Sequence, residues 1–161
     1  MSKAVVILLV SLAGVFAAGG AAAQTAGSYA TDLSRVYEAT QFIRAVKEAC
    51  ETAHRDSGAA NAAAYNAWRR RNQGLLDELE RRFTALLHGA STDEKDYAKN
   101  VGKYAGAVLQ HRAEMKEQFL AQAPQDAERQ CREFPLYLRS EDADLAKRYA
   151  EELKSIRKRK L

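Results

Sequence analysis

The chain has 161 residues, 47% of them hydrophobic and 29% charged, with a formal net charge of +4. That length is one domain's worth, and that apolar share can bury one core, which excludes a disordered or low-complexity chain. The charge is too mild for a dedicated nucleic-acid binder, so no nucleic-acid partner is expected.

In chain order, Lys3 comes first as a positive start. An almost unbroken apolar run over residues 4–18 follows, and then the small residues Ala21, Ala22 and Ala23. This order reads as a secretory signal over 1–23, cleaved after Ala23 to leave Gln24 first. The run is shorter than the ~20 residues a membrane-spanning helix needs, and no second run of that length follows. Residue 24 is not a cysteine, which argues against lipid attachment. The sequence therefore predicts a periplasmic or secreted protein with no transmembrane segment in the mature chain. Residues 24–161 would form a single helical domain with a basic C-terminal end and a net charge of +3.

Only two cysteines occur, Cys50 and Cys131. In an oxidising compartment a lone pair is expected to form a disulfide. They lack the C-x-x-C spacing of a redox pair, and a zinc site would need more cysteine or histidine than stands near them.

Helix formers dominate and proline occurs only at Pro124 and Pro135, so the expected class is all-α. A first helix is expected over about 31–54, capped by Thr31 or Asp32. Leu33, Val36, Thr40, Ile43, Val46, Cys50 and Ala53 form its apolar stripe. Gly58 should end it at positive φ. A second helix is expected over about 60–87, with Tyr65, Trp68, Asn72, Leu75, Leu79, Phe83 and Leu86 as its seam and Glu78 among the charges opposite. The S-x-x-E pattern from Ser91 to Glu94 should cap a third helix reaching about 122. Its stripe would be Tyr97, Val101, Tyr104, Val108, Met115 and Phe119, interrupted near His111 and Arg112. Gly102 and Gly106 would let another helix approach. A short helix over about 125–133 should stop at Phe134 and Pro135. A last helix from Ser140 would bury Leu145, Tyr149, Leu153 and Ile156. The sum is an antiparallel bundle of about four helices with one disulfide.

Catalytic signals are missing. His54, His88 and His111 have no partner at metal-ligand spacing, and there is no nucleophile elbow, phosphate loop or dinucleotide fingerprint. No catalytic residue, metal or cofactor is expected. Asn72 interrupts an apolar seam beside Trp68 and Tyr65. It reads as a buried register-setting amide, or as the polar anchor of a pocket. Five of the last eight residues are basic: Lys154, Arg157, Lys158, Arg159 and Lys160. They read as a solvated helix end, or as a tether to an anionic surface with peripheral membrane contact. The sequence thus points to an exported, non-enzymatic protein that binds an envelope protein or an anionic envelope surface. The alternative is an inhibitor or immunity protein that blocks a toxin or hydrolase. An enzyme is the third reading.

Overall fold

The computed structural model describes residues 29–160. The expected signal segment, its cleavage point and Leu161 lie outside the described residues. Those residues form six α-helices and no strand: α1 (Tyr29–Ala53), α2 (Arg55–Gly89), α3 (Glu94–Leu120), α4 (Pro124–Tyr137), α5 (Leu145–Arg148) and α6 (Ala150–Lys158). A 3-10 turn, Glu141–Ala143, precedes α5.

Helix α1 lies at the centre and packs against α2, α3, α4 and α6. Its expected stripe is buried from Leu33 to Cys50 and ends there, since Ala53 is exposed, and Ala45 and Ala49 are buried beside it. Paired side chains give the directions. Lys47 stands over Tyr65 and Tyr37 against Phe83, so α1 and α2 run antiparallel. Arg35 meets Glu152 while Arg159 lies over Tyr29, so α6 is antiparallel to α1 as well. Cys50 and Cys131 are bonded, with Cα atoms 5.4 Å apart, which fixes the C-terminal end of α1 to α4.

Two apolar clusters fill the interior. One surrounds the disulfide and Trp68 with Ile43, Phe134, Leu138 and Leu145. The other joins Leu33, Val36, Leu79, Phe83, Leu153 and Ile156.

Several boundaries differ from expectation, each for a local reason. No described glycine has positive φ, and Gly58 lies inside α2. The chain turns at His54 alone (φ −132°, ψ 67°), and α2 starts at the next residue. Asp56 suits the positive helix start, and the Ser57 hydroxyl donates to the His54 carbonyl at 2.9 Å. Asp32 does not cap α1; it is buried inside the first turn. The cap of α3 is Asp93, which accepts from the Asp96 amide at 2.8 Å, while Asp96 accepts from the Thr92 amide at 3.2 Å. Ser91 is engaged elsewhere, donating to the Leu87 carbonyl. Pro135 sits within α4 rather than ending it. Its missing N–H costs the helix one i→i−4 bond, to the Cys131 carbonyl, close to the C-terminal end, while Phe134 and Leu138 on either side are buried in the core. The expected last helix is split. Asp144 accepts from the Ala146 and Lys147 amides to start α5, and Tyr149 leaves helical geometry before α6.

Helix α3 departs furthest from its expected burial. Of its apolar stripe only Phe119 is buried. Gly102 and Gly106 are exposed, and nothing lies within 4 Å of where a Cβ would stand, so no described helix approaches them. The seal between α1, α2 and α3 is aromatic instead, with Phe83 stacked on Tyr104 at 5.0 Å and edge-on to Tyr37 at 4.7 Å.

Candidate functional site

The basic C-terminal run is helical through Lys158 and is docked rather than loose. Its anchor is Ile156, fully buried. The Arg157 guanidinium forks onto Glu78 of α2, with Nη2 2.7 Å and Nε 3.1 Å from Oε2. Arg82 also reaches Glu78, Nε to Oε1 at 3.0 Å. The Arg157 hydrogen bond, together with the one from Arg82, holds the Glu78 carboxyl below its ordinary range. Arg82 then closes the helix end, donating through Nη1 to the Ile156 and Arg159 carbonyls at 3.1 and 3.0 Å. The Ile156 carbonyl otherwise accepts only from the Arg159 cap amide, at 3.3 Å, and the guanidinium completes these last-turn carbonyls while matching the negative end of the dipole. The Arg159 guanidinium lies 4.8 Å over the Tyr29 ring.

The five basic residues therefore divide. Arg157 and Arg159 face the bundle. Lys154 has only Glu151, 4.0 Å away, and Lys158 and Lys160 have no acidic partner among the described residues. The start of α1 and the end of α6 meet here through Tyr29 and Arg159. The end of α2 meets the start of α3 through His88 and Tyr97, whose rings are 5.1 Å apart. Lys95, in the first turn of α3, adds an exposed cation.

Trp68, Tyr65 and Asn72 separate differently. Trp68 is buried, and its indole N–H donates to the Ala143 carbonyl at 2.8 Å, tying α2 to the 3-10 turn. Tyr65 stacks on Trp68 with centroids 5.9 Å apart. Asn72 is half-buried and donates to the Trp68 carbonyl of its own helix at 2.9 Å. Of the three, Tyr65 lines a groove. That groove, about 470 Å³, runs between α1 and α2 and is walled by Arg44, Lys47, Glu48, Asn66, Arg69 and Glu80 among others. Most of its charges are matched internally. Glu48 accepts from Arg44 at 3.0 Å and forms an ion pair with Arg112 at 3.4 Å, and Lys47 pairs with Glu51 at 2.9 Å.

A smaller hollow of about 240 Å³ lies between α1 and α4, lined by Phe42, Val46, Phe134 and Tyr137. Phe42 is 48% exposed there.

Histidines contribute surface contacts: His88 lies 3.5 Å from Glu94 and His111 3.8 Å from Glu114. Among the described residues, no three His, Cys, Asp or Glu side chains gather to hold a metal ion. No helix of the described residues is long and apolar enough to cross a membrane.

Sequence reasoning missed Arg82 and the role of Glu78. Arg82 is buried. Its signal was present, because 75, 79, 82 and 86 continue the three-four spacing of the seam, and an arginine at such a position needs acceptors. Asn61, fully buried with Oδ1 unpartnered, was also passed over. Comparison with known proteins finds no matching family model, no similar curated protein and no similar solved structure.

Proposed function

We propose that this is an exported, non-enzymatic binding protein whose basic end associates with an anionic envelope surface or with an envelope protein presenting one. On this reading residues 1–23 are removed on export. The remainder then works as one antiparallel bundle, with α1 to α4 as its main helices. The observation that carries the reading is the division of the C-terminal cations. Arg157, Arg82 and Ile156 fix α6 on the bundle, and this presents Lys154, Lys158 and Lys160 to solvent from a rigid support. A helix end needs fewer cations to satisfy its dipole than this run supplies. Each lysine near an anionic surface is worth about 1 kcal/mol, so three give weak, reversible association.

The test is co-sedimentation with vesicles containing an anionic phospholipid, at low and high salt. The triple variant Lys154→Gln, Lys158→Gln, Lys160→Gln keeps Ile156, Arg157 and Arg159 and so keeps the dock. Binding that fades with salt and is lost in the triple variant supports the proposal; equal sedimentation of the two proteins at low salt sinks it.

A second reading, an inhibitor or immunity protein, draws on one observation. Half-exposed Phe42 beside the α1–α4 hollow is the kind of aromatic anchor that protein interfaces use.

A further inference from the structure

Helix α3 carries a surface that the described fold does not use. Ala98, Gly102, Ala105, Leu109 and Ala113 recur at three and four, Leu120 follows seven residues on, and all are exposed. Leu109 is 56% exposed and Leu120 37%. The face is shallow, with Leu109 close to the middle of the helix, and Lys116, which donates to the Thr52 hydroxyl at 3.1 Å, interrupts it toward the C-terminal end.

Along one edge of this face the charges are ordered. Lys95, Lys99 and Lys103 occupy the N-terminal half, with Asp96 beside them engaged by the Thr92 amide and Asn100; Glu114 and Glu117 occupy the C-terminal half. Glu117 is about five turns beyond Lys99 and Glu114 about three turns beyond Lys103, so all four line the same edge. Within one chain this order is unfavourable. Three lysines at successive i,i+4 positions repel, cations sit toward the positive end of the dipole, and anions sit toward the negative end. Lys95, Lys99, Lys103 and Glu117 have no ion-pair partner among the described residues, and Glu114 has only Gln110 and His111.

We propose that this face binds a second copy of the chain, with the two α3 helices antiparallel and crossing near Leu109. In an antiparallel pair each edge of a helix meets the same edge of its partner. A crossing near residue 108 sets Lys99 against Glu117 of the second copy and Lys103 against Glu114, twice by symmetry. The glycines and alanines let the backbones approach, and each Leu109 packs on the small residues opposite. The antiparallel arrangement also opposes the two helix dipoles. With 27 residues, α3 is about 40 Å long and 10–12 Å wide, giving roughly 900 Å² buried over both copies. That is the range of weak, reversible interfaces, so dimerisation is expected at tens to hundreds of micromolar.

Sedimentation equilibrium across that range tests the proposal. The protein should show a concentration-dependent monomer–dimer equilibrium. Leu109→Glu should weaken it at least tenfold with helicity unchanged, since the side chain is outside the core. Lys99→Glu with Lys103→Glu should weaken it about tenfold through like-charge contacts. Reversing all four charges in one chain should restore the dimer to within about threefold, because each edge again complements itself. Should Leu109→Glu lose helicity, the charge variants carry the test alone. A monomer at every concentration overturns the proposal. So does a dimer indifferent to the double lysine reversal, or a fourfold reversal that fails to restore it.

Discussion

The two ends of the molecule are closed by different physics. At one, Cys50 is bonded to Cys131, and the surrounding cluster of Ile43, Trp68, Phe134 and Leu145 is apolar. Its specific polar bonds run from Trp68 to the Ala143 carbonyl and from Arg71 to the Leu138 carbonyl. None of these groups changes charge between acid and neutral pH. At the other end, the cluster of Leu33, Phe83, Leu153 and Ile156 is closed by Glu78 between Arg82 and Arg157. The first end should answer to reductant, and the second to acid and salt.

The largest effect should come from opening the first end. Cys50→Ser with Cys131→Ser releases a loop of 81 residues. The chain-entropy model puts that at up to about 4.5 kcal/mol. Thermal unfolding followed by circular dichroism should show a lower midpoint with helicity retained at room temperature. A loss under about 1 kcal/mol would mean that apolar packing alone closes this end.

Next is Ile156→Ala, which empties a fully buried site and should cost about 2–4 kcal/mol. Native-state hydrogen exchange should speed up in α6 far more than in the turn of α2 that carries Trp68. Uniform acceleration would erase the distinction between the ends. The same burial means that truncation after Leu153 would remove core as well as charge, so it cannot serve as a clean test of surface binding.

Glu78→Gln should be smaller, about 1 kcal/mol, because Arg157 is half-exposed and its pair is screened. The pH dependence gives the sharper readout. The Glu78 carboxyl in the folded protein lies below its ordinary 4.5. Its contribution is therefore complete above that value and is lost as pH falls through the lower folded value. The wild type should lose α6 protection in acid by a step that Glu78→Gln lacks; an identical acid profile for the two would remove Glu78 as the cause.

The smallest effect is expected at Asn72. Its hydrogen bond stays within α2, and alanine is the better helix former, so Asn72→Ala should change stability by no more than about 0.5 kcal/mol. A loss above 2 kcal/mol by urea denaturation would restore the register-setting role.

What the sequence disclosed follows the same division. The stripe of α1, the disulfide partners and the buried Leu145, Leu153 and Ile156 were legible because burial there follows helical spacing directly. Spacing was least informative on α3, where six apolar side chains keep the period but only Phe119 is buried, Tyr97, Tyr104, Val108 and Met115 are half-buried and Val101 is exposed; periodicity shows which residues share a face, but not how completely another element covers it. Helix ends failed through competition. Ser91 and Asp93 both suit a cap, and Ser91 is already bonded to Leu87. Of the candidate site, the basic run was legible as a run. Its division into docked arginines and free lysines depends on Glu78 and Arg82, more than 70 residues away in sequence, and no local pattern reports that.

The adjacency of Tyr29 and Arg159 has a mechanical consequence. A pull applied at Tyr29 and Arg159 would peel α1 from α6 one turn at a time, unzipping rather than shearing them. Extension would stop at the Cys50–Cys131 bond after roughly 170 Å of slack chain. Everything threaded between those cysteines, α2 and α3 included, would feel no tension while that bond is intact. Under reductant the same pull would run on through the whole chain, so a force–extension trace should show a short plateau that lengthens once the bond is cut.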